Sequence, residues 1–149
     1  MNRNLSLLVS SQVFAFTAAT LTVFISGIIG SQLTPIKTLS TLPPSIYVVG
    51  TAAATIFAAK IMSIIGRRLG FIFSSVAGSI ACLIGAYSIM IESFFIFCMA
   101  KFILGATMAF THQYRFAAAE SVEQSMAPKA ISIILFGGII SAFLGPSLA

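Results

Sequence analysis

The sequence has very few charged residues: 7% of its 149 positions, against roughly 25% in a typical soluble domain. It has no tryptophan, no aspartate and one histidine, and its acidic residues are three glutamates. This is too little charge to cover a water-soluble globule, so a soluble domain is excluded. The shortage of carboxylates and histidines also argues against hydrolytic or metal chemistry. We therefore expect no enzyme, no catalytic residue, no metal site and no cofactor.

The two cysteines and the basic residues are scattered along the sequence. Cys82 and Cys98 lie in apolar stretches without metal-ligand spacing, which predicts two buried packing residues. Eight Lys and Arg give a net charge of +5, but they fall one or two per connection and form no patch. Nucleic-acid binding is therefore not expected, and the basic residues are better explained as determinants of membrane topology.

Long apolar runs make up most of the sequence, and 58% of its residues are hydrophobic. A helix needs about 20 apolar residues to cross a bilayer. Five runs near that length predict transmembrane helices, and the first is too long for the apolar core of a signal peptide. The fold class is therefore all-α, a polytopic transmembrane helical bundle in contact with lipid, with spans at about 5–30, 44–65, 71–91, 94–116 and 130–149.

The short segment Gly66-Arg67-Arg68-Leu69-Gly70 separates the second and third runs. Lys and Arg accumulate in short cytoplasmic loops, so this turn is predicted to face the cytoplasm. Alternating helices then place the N-terminus inside as well. In that orientation, Lys37 is the basic residue expected in an outside loop.

Four polar or ionisable residues within the runs are candidates for a solute pathway: Gln12, Lys101, His112 and Arg115. Charges inside a membrane are expensive and usually functional. If the fourth run is one continuous helix to about Ser121, its three ionisable residues share a face. The alternative is a structural role: Gln12 would join two helices, and the charges would form an internal ion-pair network. An unperturbed histidine titrates near neutrality, which makes proton coupling conceivable.

Small residues recur at spacing four in three runs, a pattern that lets helices approach closely in lipid. Gly50, Ala54 and Ala58 form one such seam, and Ala77, Ala81 and Gly85 form another. In the fifth run, Gly137, Ser141 and Gly145 precede Pro146. Because proline removes a backbone donor, this last helix is predicted to kink and to flex against its neighbour.

Three of these features together resemble the major facilitator superfamily. The turn Gly66-Arg67-Arg68 is similar to that family's glycine/arginine loop. Lys101-Phe102-Ile103-Leu104-Gly105 resembles its basic-residue helix. Gly137, Gly145 and Pro146 resemble its antiporter signature. The resemblance covers essentially the whole chain but only five of the usual twelve helices, so it implies a partial N-terminal transmembrane domain.

The chain also departs from the family's pattern. Ser63 and Ile64 stand where the loop motif has an acidic and a basic residue, so its cytoplasmic charge pair is incomplete. Ser141 replaces a glycine of the run-five signature, and Ala149 falls where its closing glycines would begin. Lys101 keeps the positive charge of the usual arginine without its two-pronged hydrogen bonding.

The resemblance implies transport of a small-molecule solute by a secondary transporter, as antiport or efflux coupled to protons, in a bacterial inner membrane. Lys101, His112, Arg115 and Gln12 are assigned to the pathway. Arg67 and Arg68 would hold the cytoplasmic loop. A second transmembrane half would be needed to complete the cavity. The alternative is a structural or assembly subunit of a membrane complex, or an inactive truncated product.

Overall fold

The computed structural model describes residues 3–148, and every regular element in that range is helical. Two short 3₁₀ segments, Lys37–Leu39 and Gln124–Met126, precede the second and last of the α-helices. In chain order the α-helices are α1 (Arg3–Leu33), α2 (Leu42–Ile65), α3 (Arg67–Met90), α4 (Phe94–Thr111), α5 (Tyr114–Glu120) and α6 (Ala127–Leu148).

Five described segments are long and apolar enough to cross a membrane, the fourth of which contains both α4 and α5. Large apolar side chains point outward along them: Phe14, Ile56, Met90 and Phe143 are each between 77% and 82% exposed. So much exposed apolar surface is stable only beside another apolar phase. The predicted all-α polytopic transmembrane bundle is therefore confirmed.

Hydroxyl side chains in these helices bond back to their own backbone. Thr20 donates to Phe16 O at 2.9 Å, Thr55 to Thr51 O at 2.7 Å and Ser88 to Gly85 O at 2.6 Å. Because each hydroxyl returns its proton to a carbonyl three or four residues earlier, these polar residues fit an apolar helix.

A single glycine separates α2 from α3. Gly66 has φ +84°, a backbone conformation that glycine adopts without steric penalty. Its N–H donates to Met62 O at 3.1 Å, and the N–H of Gly70 donates to Gly66 O at 3.1 Å. Arg67 is thus the first residue of α3, and the exposed Arg68 is the second.

The chain divides into two compact units, which we describe separately. The first unit contains the chain up to Thr22 together with the part from Thr111 onward. Its core forms where α1, α5 and α6 meet, around Leu5, Ala118, Ala130 and Ile134. Ser141 is completely buried there, with its Oγ 3.0 Å from Val13 O.

The second unit, Val23–Phe110, contains α2, α3 and α4. Its core includes Ala58, Met62, Ala109 and Phe110. The predicted seam of α2 therefore places Ala58 in the core, and Ala54 packs against that cluster.

Helices α2 and α4 of the second unit cross at glycines. A Cβ on Gly105 would collide with the carbonyl of Tyr47, and one on Gly50 would collide with the carbonyl of Phe102. At this crossing Thr51 Oγ1 donates to Gly105 O at 2.9 Å. The two backbones can approach this closely only because neither glycine carries a side chain.

Two expectations from the sequence are wrong. The fourth run is not one continuous helix, because His112 and Gln113 form a turn between α4 and α5. The N–H groups of Phe116 and Ala117 then donate to Gln113 O and start α5 afresh. Cys98 is buried as predicted, but Cys82 is exposed on α3, so it is not a core residue.

Candidate functional site

The first unit has a half-open cavity of about 380 Å³, within the size range of small-molecule sites. Helix α6 forms an apolar wall, and α1, α5 and the turn at His112 bring polar and aromatic groups to it. The polar and aromatic side chains that line it are Gln12, Phe16, His112 and Arg115, and the α6 residues are Ile134, Leu135, Gly138, Ile139 and Ala142.

The amide of Gln12 is buried in this unit without a partner. The residue is 5% exposed, and its Oε1 accepts no hydrogen bond from any described group. Its Nε2 lies beside Gly138, where a Cβ would be 3.9 Å away, so α6 leaves room for the amide. Leaving such a group unpaired costs about 1–3 kcal/mol. The role of Gln12 as a hydrogen-bonded link between helices therefore has no support in this structure.

An aromatic pair lines the same cavity. The rings of Phe16 and His112 meet edge to face, with centroids 5.4 Å apart and planes at 86°. The turn between α4 and α5 brings His112 to this position, and Phe16 stands one helical turn after Gln12 on α1. An edge-to-face pair of this kind contributes about 0.5–1.5 kcal/mol beyond its buried area.

Arg115 adds a positive charge to the cavity wall. Its guanidinium carbon lies 4.9 Å from the ring centre of Phe116, its neighbour on α5. No carboxylate in the described part of the chain pairs with it, and the side chain is exposed. The guanidinium therefore has hydrogen-bond donors to spare for a solute.

Lys101 lies in the second unit. It is 7% exposed, and its Nζ sits 4.7 Å from the ring centroid of Phe97, one turn earlier on α4. None of the described carboxylates forms an ion pair with it. The described groups that interact with this buried ammonium are the Phe97 ring and the thiol of Cys82 on α3, and it lies within a membrane-spanning segment, where charge is costly.

The residues assigned to helix flexing lie on α6. Gly137 is buried, and a Cβ there would come within 3.2 Å of Val13 on α1. Ser141 packs at the same interface. Gly145 and Pro146 belong to α6, but their side chains lie outside the described residues.

The structure thus brings Gln12, His112 and Arg115 to one cavity, whereas Lys101 belongs to the other unit. Sequence reasoning missed Phe16, although its spacing of four from Gln12 places both on one face of α1. Thr17, also on α1, has a buried Oγ1 without a described partner, but it does not line the cavity and is not a site residue. No sequence signal distinguishes Thr17 from the other hydroxyls of α1.

The architecture defines a multi-pass helical membrane protein. Along 98% of its length the chain is similar to a riboflavin transporter, RfnT, of Brucella anthropi, with 32% identity over 146 residues. It is similar over the same share to YdeG and YddS, described as MFS-type transporters, of Bacillus subtilis, at 24% and 21% identity. No protein-family model matches the chain. No solved structure matches it either.

These relatives confirm the resemblance to the major facilitator superfamily. They are named as transporters, in agreement with the prediction that the protein is not an enzyme. The chain spans about a third of the length of the curated relatives it matches, between 34% and 37%.

Proposed function

We propose that this chain contributes five transmembrane helices to a secondary transporter that moves a small organic solute across a membrane. The cavity with the unpaired Gln12 amide carries the proposal, because an otherwise apolar, lipid-exposed bundle gains nothing from leaving that group without a partner. The relatives named as transporters support it. Riboflavin is the first solute to test, since the relative with 32% identity is named for it.

The remaining details of the proposal rest on the resemblance to the major facilitator superfamily and on the distribution of the basic residues. A second transmembrane half would complete the pathway. Arg67 and Arg68 would face the cytoplasm of a bacterial inner membrane, and α6 would flex at Gly137, Gly145 and Pro146. Lys101 would attract negatively charged groups within the pathway, because its described surroundings supply no counter-ion.

Exchange against protons is proposed to act through His112. Arg115 is the charged group that lines the cavity beside it, and α1 and α6 contribute no other titratable side chain to that wall. A proton on His112 would therefore face a positive neighbour. Binding of a solute with acceptor groups would offset that repulsion, so proton and solute occupancy would be linked.

The test is transport in proteoliposomes, using protein produced from its complete gene. Riboflavin uptake should be saturable and should respond to an imposed pH gradient. His112→Gln should reduce the response to the gradient while uptake without a gradient continues. Correctly inserted protein that moves no riboflavin would rule out that solute. Failure with a panel of small organic solutes as well would overturn the transporter proposal and favour a role as an assembly subunit.

A further inference from the structure

The first unit has a second half-open cavity, of about 390 Å³, which shares no lining residue with the cavity at Gln12. It lies where two membrane-spanning segments begin, one at Leu5 and the other at Gln124. The ends of membrane-spanning helices lie at the level of the lipid headgroups. We call this space the interfacial cavity, and its position makes a membrane lipid the molecule that reaches it first.

The floor of the interfacial cavity is apolar. Leu5 and Ala130 are buried in the core of the unit, so the floor is firmly packed. On α6 the lining extends to Ile133, about 9 Å along the helix axis from Ala127, where the helix begins. The cavity therefore extends from the headgroup level toward the acyl chains. The apolar residues that line it are Leu5, Val122, Met126, Ala130 and Ile133.

Two opposite charges line the same cavity. Glu123 precedes the 3₁₀ segment Gln124–Met126, and Lys129 is the third residue of α6. Both are exposed, and in the part of the chain that the structure describes neither side chain forms an ion pair or a hydrogen bond. The carboxylate can therefore accept hydrogen bonds from a ligand, and the ammonium can donate them.

This pair of charges discriminates between lipid headgroups. A headgroup with only a negative charge is attracted by Lys129 but repelled by Glu123, whereas a zwitterionic headgroup has a partner for each. Zwitterionic headgroups differ in turn at the cationic end. A primary ammonium offers three N–H donors to a carboxylate, and a trimethylammonium offers none. The interfacial cavity should therefore favour a primary ammonium next to a phosphate.

We propose that the interfacial cavity binds phosphatidylethanolamine, with the ammonium group at Glu123, the phosphate at Lys129 and an acyl chain along the apolar floor. The site goes beyond the proposed transport function and does not depend on the cavity at Gln12. A lipid held there contacts α1 and α6 together, and it would stabilise the folded unit by mass action.

The test is a lipid titration of detergent-solubilised protein, produced from its complete gene, followed by native mass spectrometry. The probes are phosphatidylethanolamine, phosphatidylcholine and phosphatidylglycerol with identical acyl chains. The wild type should bind the first of these about two- to fivefold tighter than the second, the scale of ion pairs beside water. Phosphatidylglycerol should also bind more weakly than phosphatidylethanolamine.

Equal affinities for phosphatidylethanolamine and phosphatidylcholine, the result expected if a protein segment fills the cavity, would overturn the proposal. Tightest binding of phosphatidylglycerol would overturn it as well, because it would indicate attraction to basic residues alone. These comparisons use the wild type and need no variant. They are made without transport, so their failure leaves the transporter proposal standing.

Two variants assign the headgroup contacts. Glu123→Gln should remove the preference for phosphatidylethanolamine over phosphatidylcholine. Lys129→Gln should weaken both lipids by a similar factor and keep the preference, because both carry the phosphate. The matched controls are Glu92→Gln and Lys37→Gln, which change exposed residues of the second unit and should behave as the wild type. A preference that survives Glu123→Gln would contradict the proposal.

Discussion

Gln12 places a buried amide oxygen without a described partner inside the first unit, beside the cavity that the residue lines. An unsatisfied buried group lowers stability, and such groups persist where function requires them. The neighbouring residues agree with that interpretation, since Gly138 leaves space and Phe16 supplies a flat apolar surface. We therefore expect function and stability to oppose each other at this residue.

Gln12→Met should make the protein more stable. The substitution keeps the length of the side chain and removes an amide whose unpaired burial costs about 1–3 kcal/mol, which predicts a rise in Tm of about 2 °C or more. Thermal unfolding in detergent measures it. Thr17→Val should give a similar rise without altering solute binding. A fall in Tm for Gln12→Met would show that the amide has a stabilising partner in the complete protein.

Lys101→Leu should abolish most transport while leaving membrane insertion unchanged. The ammonium is expected to attract a charged or polar group, and a charge-assisted hydrogen bond of about 1.5–3 kcal/mol corresponds to a loss of about tenfold or more. Transport rates and membrane yield are the measurements. The matched control is Lys60→Leu, because Lys60 is exposed on α2. Loss of assembly rather than transport in Lys101→Leu would favour the subunit hypothesis.

Close packing of the helices depends on the positions at which glycine, which has no side chain, lies at a crossing. The crossing of α2 and α4 brings Gly105 against the backbone of Tyr47, and Gly50 against that of Phe102. Backbone atoms cannot move aside as a flexible side chain does. The crossing is therefore the part of the second unit least tolerant of added volume.

Gly105→Ala should destabilise the protein by about 1–3 kcal/mol or more, because the new methyl group meets a carbonyl. The amount of folded protein that survives heating, measured by size-exclusion chromatography, reports this change. Gly27→Ala on α1 is the matched control, since a Cβ there has no atom within 4 Å among the described residues. Equal heat resistance of the two variants would show that α2 and α4 do not cross at this glycine.

The sequence predicted the helices better than the site. Run length and hydropathy depend on local composition, so five membrane-crossing segments could be expected directly. The turn at His112 was missed because neither Gly nor Pro marks it. The contact between Phe16 and His112 joins distant parts of the chain, and no local pattern encodes it. The polar residues could be named from the sequence, but the cavity they line forms only where α1, α5 and α6 meet in the folded protein.

For the whole molecule, orientation in the membrane is the property that the transporter proposal depends on most. The arginines beside Gly66 predict that the turn between α2 and α3 faces the cytoplasm. The connection between α1 and α2, which contains Lys37, should then face the outside.

Single cysteines test this orientation in intact cells with a membrane-impermeant maleimide. In a background of Cys82→Ser and Cys98→Ala, Ile36→Cys should react, whereas Leu69→Cys should react only after permeabilisation. Both positions are exposed, at 54% and 58%, so access to either is comparable within the protein. Reaction of Leu69→Cys alone in intact cells would reverse the topology and contradict the cytoplasmic position proposed for Arg67 and Arg68.

Many hydroxyl groups of the helices bond to backbone carbonyls, and this limits which side chains can determine the protein's selectivity for a solute. The Oγ of Ser141, on α6, lies 2.8 Å from Gly137 O and 3.0 Å from Val13 O, and among the described residues no serine or threonine lines the cavity itself. The polar side chains that the described parts of these helices present to the cavity are therefore an amide, an imidazole and a guanidinium. A mutant library confined to positions 12, 112 and 115 would sample nearly all of that repertoire. A change of selectivity that depends on the polar contacts of these helices should therefore require substitution at one of those three positions.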